Sequence, residues 1–288
     1  MWLYWCLLST FIGGFTSIAM KKCSNNDKKR MAIMGLFSYH FITILVSIAI
    51  KPELVFKLNF VHMLYMLPGL ILQSLGYFCV LASIRYGKVA ITSSIRKCNV
   101  VVIFLLGIIV LKEEWTILQV IVSIVLVILS IILATKKDSS ELIDKKLEKK
   151  AIFYAYGYVL CNGISKIFNK IYVTEFEDPL YVVFNFALVT IIGILMYCII
   201  TKKWEYIDLR KMNSKGYFLL QSFLDSSSSI LSRFAMLDGN ISIISVISTS
   251  SIVITVLTSR IILKEKITWK KYFIILGIFI CVLMLSIL

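Results

Sequence analysis

Residues 87–116 read GKVAITSSIRKCNVVVIFLLGIIVLKEEWT, and residues 239–268 read GNISIISVISTSSIVITVLTSRIILKEKIT. A shift of 152 residues lays one on the other without a gap. Gly87 falls on Gly239, Ile91 on Ile243, Ser93 on Ser245, Ile95 on Ile247, Val101 on Val253, Leu105 on Leu257 and Ile109 on Ile261. Leu111, Lys112, Glu113 and Thr116 fall on Leu263, Lys264, Glu265 and Thr268. Isoleucine on isoleucine carries little weight in apolar sequence. A Leu-Lys-Glu joint behind the apolar block and a glycine before it, both repeated, carry more. A shift of 149 also places Gly14 on Gly163, Thr16 on Ser165 and Lys21 on Lys170. The chain reads as an internal duplication.

The duplicated unit is built for lipid. Of 288 residues, 59% are apolar and 16% charged, with mean hydropathy +0.89; soluble domains sit near ~45–50% and ~25%. Ten apolar blocks are long enough to cross a bilayer, which takes roughly 20 residues of helix: 2–20, 31–50, 61–84, 89–111, 115–135, 151–171, 180–200, 216–237, 240–262 and 271–288. Only helices satisfy their own backbone at this hydropathy, and the alternating pattern of a barrel is absent. The predicted fold is an all-α integral membrane protein of ten transmembrane helices. Two five-helix repeats, 1–135 and 151–288, flank a lysine-rich linker at 136–150. The first block lacks a basic n-region and a cleavage site, so it reads as a retained span.

Five crossings per unit force the second unit in upside down. Charge agrees: residues 21–30 carry five Lys and Arg while the equivalent joint after residue 171 carries none, and the order reverses at the next joint. The basic joints fall on the side of the linker, which the positive-inside rule assigns to the cytoplasm, with both termini outside. The net charge of +15 is thereby explained by an anionic leaflet rather than by nucleic acid. Such inverted repeats place a substrate site at their interface near the bilayer midplane.

The joints LKEEWTILQVIVSIVLVILSIILA (111–134) and ILKEKITWKKYFIILGIFICVLML (262–285), with the preceding helix 87–114 and the stretch FIGGFTSIAMKK (11–22), resemble the drug/metabolite transporter superfamily in its ten-helix form with two EamA-type domains. Lys112 and Lys264 stand where that family usually has glycine, and the Trp-Gly of its first helix is missing. The resemblance implies a secondary carrier of small metabolites, often an exporter, with a cavity between halves. Members are commonly drawn with cytoplasmic termini, opposite to the charge count.

Charges inside the spans mark the candidate site, since each costs at least ~2.5–3.5 kcal/mol at a helix centre. Arg96 and Lys97 lie about 10–12 Å into the fourth span at ~1.5 Å per residue. Snorkelling relieves one of two neighbours but not both from a lipid face, so at least one is expected to meet the cavity and receive an anionic group. Asp225 in the eighth span, with Ser228, Ser229 and Ser232 on the same face, is expected to meet an ammonium or a coupling proton. A structural ion pair with Arg96 or Arg233 is the plainer alternative. Asn162, Ser165 and Asn169 share a face of the sixth span, fit for substrate or for interhelical bonding. Gln73 and His40 face the same choice, Glu113 and Glu265 read as helix-start carboxylates, and Tyr77, Phe78 and Trp5 as cavity lining or packing.

Catalytic and nucleotide motifs are missing: no HExxH, GxSxG or P-loop occurs, and the seven cysteines form no CxxC. No cofactor or metal is expected. The partners are a small-molecule substrate, the bilayer and protons as coupling ion. The expected function is secondary transport, in the direction of export, of small polar metabolites such as amino acids. Export of hydrophobic cations or lipid-linked sugars is the alternative, and a membrane-embedded enzyme or scaffold stands last.

Overall fold

The structure is a computed structural model that describes residues 1–23, 28–86, 95–96, 98–135, 145–208, 215–251, 253–254, 257 and 269–287. Among the described residues ten α-helices follow one another: α1 (Trp2–Cys23), α2 (Lys28–Ile50), α3 (Phe60–Tyr86), α4 (Asn99–Leu111), α5 (Ile117–Thr135), α6 (Lys145–Phe176), α7 (Pro179–Thr201), α8 (Lys215–Asp238), α9 (Ile241–Thr249) and α10 (Trp269–Ile287). No strand occurs among the described residues. Large apolar side chains stay exposed along the outer helices, such as Ile121, Ile124 and Ile128 on α5 and Phe273, Leu276 and Phe279 on α10. In water that surface would drive association; in a bilayer it is the surface the lipid requires. The fold is an all-α membrane protein.

The pairing of helices obeys a two-fold exchange of halves. The most extensive contacts are α3 along α6 and α1 along α8, and exchanging the halves turns each into the other. Likewise α2 meets α7, α4 meets α9 and α5 meets α10, each pair its own image. The exchange inverts direction, because α1 begins where α6 ends. Trp2 at the start of α1 lies against Gly239, just past the end of α8. Lys51, just past α2, bonds Asp178, just past α6, at 2.7 Å. Glu113, just past α4, reaches Ile241. One end of the bundle thus gathers the first residue of the chain and the ends of the even-numbered helices α2, α4, α6 and α8. The halves run antiparallel to each other.

The two halves also break at the same place. Cys98 donates its N–H to the Ile95 carbonyl and Val101 to that of Cys98, both at 3.0 Å; Ser250 donates to Ile247 at 3.0 Å and Val253 to Ser250 at 2.8 Å. These are the tighter i→i+3 bonds of a 3₁₀ turn, and Cys98 and Ser250 are 152 residues apart, at φ −65°, ψ −7° and φ −65°, ψ −12°. The fourth and ninth spans are therefore discontinuous, where the apolar pattern alone predicts unbroken helices. In the other direction, α6 starts at Lys145, inside the expected linker, since the helix continues beyond the stretch that lipid requires.

The Leu-Lys-Glu joint at residues 111–113 has a structural reason. Lys112 sits in the left-handed region at φ 53° and its N–H closes onto Gly107. Glycine adopts that conformation freely, whereas another residue pays about 1–2 kcal/mol. Lys112→Gly is accordingly expected to raise the melting midpoint of detergent-solubilised protein, by the equivalent of roughly 1 kcal/mol; an unchanged or lower midpoint would contradict it. α5 then opens with a reciprocal cap: the Thr116 N–H donates to Gln119 Oε1 at 2.9 Å, and the Gln119 N–H to Thr116 Oγ1 at 3.2 Å. That leaves the Glu113 carboxylate free for another helix.

Candidate functional site

The seam between halves is polar along α8. Ser222 shares a hydroxyl bond with Ser38 of α2 at 2.7 Å, Ser226 accepts from Thr43 of α2 at 3.0 Å, and Ser228 bonds Ser9 of α1. These serines tie α8 to the first half, as small hydroxyl residues do where helices approach closely in lipid. Ser229 is used differently. It accepts from the guanidinium of Arg233, one turn further on.

Arg233 is the hub of the seam, and it is only 5% exposed. Its Nε donates to Asn169 Oδ1 of α6 at 3.2 Å, and its guanidinium carbon stands 5.3 Å from the ring centroid of Phe186 on α7. The Tyr39 hydroxyl of α2 faces it. Two further titratable side chains lie within its electrostatic reach: His40 of α2 and Lys166 of α6. Lys166 in turn faces Cys6 of α1. Asn169 completes the group by donating to the Ser165 carbonyl, while Ser165 donates to the Gly69 carbonyl of α3. Four helices, α2 of one half and α6, α7 and α8 of the other, thus meet at one guanidinium, and α1 and α3 join the groups around it. His40 is 4% exposed, its ring edge-on to Tyr39 at 4.4 Å, and its Nδ1 has no hydrogen-bond partner.

The residues singled out from the sequence divide. His40 and Ser229 belong to this cluster. Asp225 lies two turns along α8, about 12 Å at 1.5 Å per residue, where Gln221 Nε2 donates to its Oδ2 at 3.5 Å and Thr16 of α1 faces it. Gln73 on α3 is its counterpart, 152 residues earlier, with a buried Oε1 that no donor meets. Arg96, just before the break in the fourth span, stands over the Tyr158 ring at 6.0 Å. Arg96 and Asp225 thus have different neighbours, and the ion pair that stood as the plainer alternative is not formed between them. Asn162 accepts from Asn99 Nδ2 at 2.7 Å, which makes it a tie between α4 and α6. Lys97 and Glu265 lie outside the described residues. Trp5 packs on Phe234 with centroids 5.6 Å apart, the Tyr77 hydroxyl rests on Gly35, and Phe78 faces outward.

Lys166 was not among the expected residues, and Arg233 was expected only as a structural partner of Asp225. The signal for Lys166 was present: it sits four residues after Asn162 and three before Asn169, a charge inside a span on the face already recognised as polar.

At the end where α1 begins, several side chains tie the halves together. Besides Lys51–Asp178, Tyr65 donates to Glu175 at 2.6 Å and His62 Nδ1 pairs with the Tyr181 hydroxyl at 2.8 Å. The Asp178 carboxylate, accepting from Lys51, holds that ammonium above the usual lysine range, so the tie is intact at neutral pH and fades in alkali as the lysine deprotonates. Lys170 spans the Met236 and Gly239 carbonyls, closing the end of α8. Here an open cavity of about 700 Å³ is lined by Lys112, Glu114, Lys170, Glu175 and Asn240, among others. No group of three metal-ligating side chains occurs among the described residues.

Comparison with known proteins agrees with this architecture. An uncharacterized protein of Methanocaldococcus jannaschii is 31% identical over 137 residues, a match that takes in 48% of this chain and 90% of that protein. The relative is therefore about as long as one five-helix half. A solved crystal structure superposes with a TM-score of 0.74 over 99% of this chain and 96% of the other, at 10% identity, a likeness of fold alone. The EamA-like transporter family model matches twice, at residues 1–136 and 149–287. With two matches that together span nearly all its residues, the chain belongs to the EamA-like transporter family, and it is a membrane transporter.

Proposed function

We propose that this transporter is a secondary carrier for small polar metabolites, amino acids among them, working as an exporter by alternating access. The observation that carries the reading is the buried polar cluster around Arg233, built from α1, α2 and α3 of one half and α6, α7 and α8 of the other. A group bound there touches both halves. Rocking one half against the other therefore changes its exposure from one side of the membrane to the other while the site itself stays at the seam. The paired 3₁₀ turns at Cys98 and Ser250 interrupt one helix in each half, as helices near the substrate site of inverted-repeat carriers are interrupted.

The protein is placed in the cell membrane with linker 136–150 in the cytoplasm and both termini outside. The ties at Lys51–Asp178, Tyr65–Glu175 and His62–Tyr181 then close the outer side. Asp225, held by a neutral amide and a hydroxyl rather than by a cation, is the carboxyl suited to carry a coupling proton. The chain carries no phosphate-cradling loop, so the driving force is an ion gradient or the gradient of substrate.

Counterflow tests this. Purified protein in proteoliposomes loaded with one unlabelled metabolite is expected to accumulate the same labelled metabolite transiently, and Asp225→Asn is expected to retain counterflow while losing its response to an imposed pH gradient. Protein that exchanges no metabolite from a panel of amino acids, organic acids and sugars is not a carrier of this class. Export of hydrophobic cations or lipid-linked sugars is the second reading. The cationic centre of the seam opposes the former, and unchanged drug susceptibility of overexpressing cells is the expected result.

A further inference from the structure

Resting on the carrier reading above, we propose that Arg233 and Lys166 together hold a small doubly charged oxyanion, so that the transported substrate is a dicarboxylate or a phosphate compound. The argument begins with what surrounds the two cations. Among the described residues, the groups that meet the Arg233 side chain are uncharged: the Asn169 amide, the Ser229 hydroxyl and carbonyl, the Tyr39 hydroxyl and the Phe186 ring. Lys166 has no acceptor among the described residues, and the groups it feels most are Arg233, a second cation, and the Cys6 thiol. The described ion pairs lie elsewhere, at Lys51–Asp178 and Lys57–Glu53 near the ends of helices. Asp225, the carboxyl on the same helix, is turned to Gln221 and Thr16.

Two cations inside a membrane bundle without a carboxylate between them are costly twice over, through desolvation and through mutual repulsion. A structural role would be served by an aspartate or glutamate at the seam, and α6 and α8 supply only amides and hydroxyls there. An oxyanion between the two removes both costs. A guanidinium presents parallel N–H groups that match a carboxylate or phosphate edge, and an ammonium supplies the second charge. One negative charge neutralises one cation, so a dianion is the better complement. The unpartnered Nδ1 of His40, 4% exposed and beside Arg233, offers a further polar contact from the first half. The anion would thus be held by α6 and α8 and touched by α2, which couples its binding to the approach of the halves.

The test is counterflow and thermal stabilisation with four probes: succinate for dicarboxylates, inorganic phosphate, serine as a neutral zwitterion and tetraphenylphosphonium as a cation. Succinate or phosphate is expected to exchange and to raise the melting midpoint of the wild-type protein, the active one of the two naming the source of the oxyanion. Lys166→Gln and Arg233→Gln are each expected to raise the half-saturating concentration at least about tenfold, the scale of removing one partner from a buried charge contact. Arg233→Lys is expected to recover part of the loss, because charge survives while the paired N–H geometry does not. If either glutamine variant does not fold, the wild-type stabilisation series decides by itself. Exchange of serine or tetraphenylphosphonium with no effect of either dianion overturns the oxyanion site and leaves the carrier standing. Dianion exchange undiminished in both folded glutamine variants overturns the assignment to these residues. No exchange of any probe, with no stabilisation, removes the carrier reading and this one with it.

Discussion

Glu113→Ala is expected to destabilise the protein by about 2–4 kcal/mol, since each buried donor left without an acceptor costs roughly 1–3 kcal/mol. Three donors depend on this carboxylate: the Ile241 N–H at 2.6 Å, and the N–H and hydroxyl of Ser242. They are the first donors of α9, whose own cap residue Asn240 makes no side-chain bond. Glu113 thus satisfies the start of a helix in the opposite half, with its negative charge at the positive end of that helix. Gly107 leaves room for the contact, because a Cβ there would meet the Ser242 hydroxyl and come within 2.8 Å of Glu113 Oε2. Glu113→Gln keeps an oxygen acceptor and loses the charge, so it is expected to fall between wild type and alanine. The exposed neighbour Glu114 provides the control, with Glu114→Ala expected to change little. Melting midpoints in detergent measure all three, and a Glu113→Ala protein as stable as the Glu114→Ala protein would refute the cap.

That contact also shows where sequence reading stops. The Leu-Lys-Glu joint identifies a repeat, and the ten blocks with their alternating charge identify inverted five-helix units, because hydropathy and loop charge are properties of consecutive residues. Glu113 reads as the start of the helix that follows it. Yet Thr116 and Gln119 cap that helix, and the carboxylate crosses to a residue 128 positions away, a distance that no local pattern encodes. The breaks at Cys98 and Ser250 were equally hidden. Neither position is proline or glycine, the residues that usually announce an interruption. They become visible only because the same turn recurs in both halves. The site was partly legible: His40 and Ser229 fall in the cluster, and the rule that intramembrane charges mark function applies to Lys166 as well as to Arg96. What the rule cannot supply is which charges face each other, and that decides between an ion pair and a pair of cations awaiting an anion.

The strongest effects on folding are expected at two glycines that the repeat relates, Gly14 and Gly163. Each meets the opposite half just beyond the helix break. A Cβ on Gly163 would lie 2.7 Å from Val102 Cγ1 and 2.8 Å from its Cβ, and one on Gly14 would lie 2.5 Å from Ile254 Cβ and 3.1 Å from the Ser251 carbonyl oxygen. Val102 and Ile254 are themselves 152 residues apart, so the two contacts are one contact made twice. Both partners are β-branched and held near one rotamer in a helix, so the clash cannot be relieved by swinging a side chain aside. Overpacking of this kind costs typically ~1–3 kcal/mol for one added carbon. Gly163→Ala is expected at the lower end, and Gly14→Ala at the upper, because there backbone is also in the way. Valine at either position adds two more carbons and is expected to prevent the halves from docking, with loss of monodisperse protein on extraction. The geometry makes a sharper demand through rescue. Val102→Gly, which removes the Cβ that alanine would keep, should restore part of the stability lost in Gly163→Ala, and Ile254→Gly part of that lost in Gly14→Ala, while the crossed combinations should not. Equal recovery from crossed and matched pairs would mean that these glycines serve helix flexibility rather than close approach.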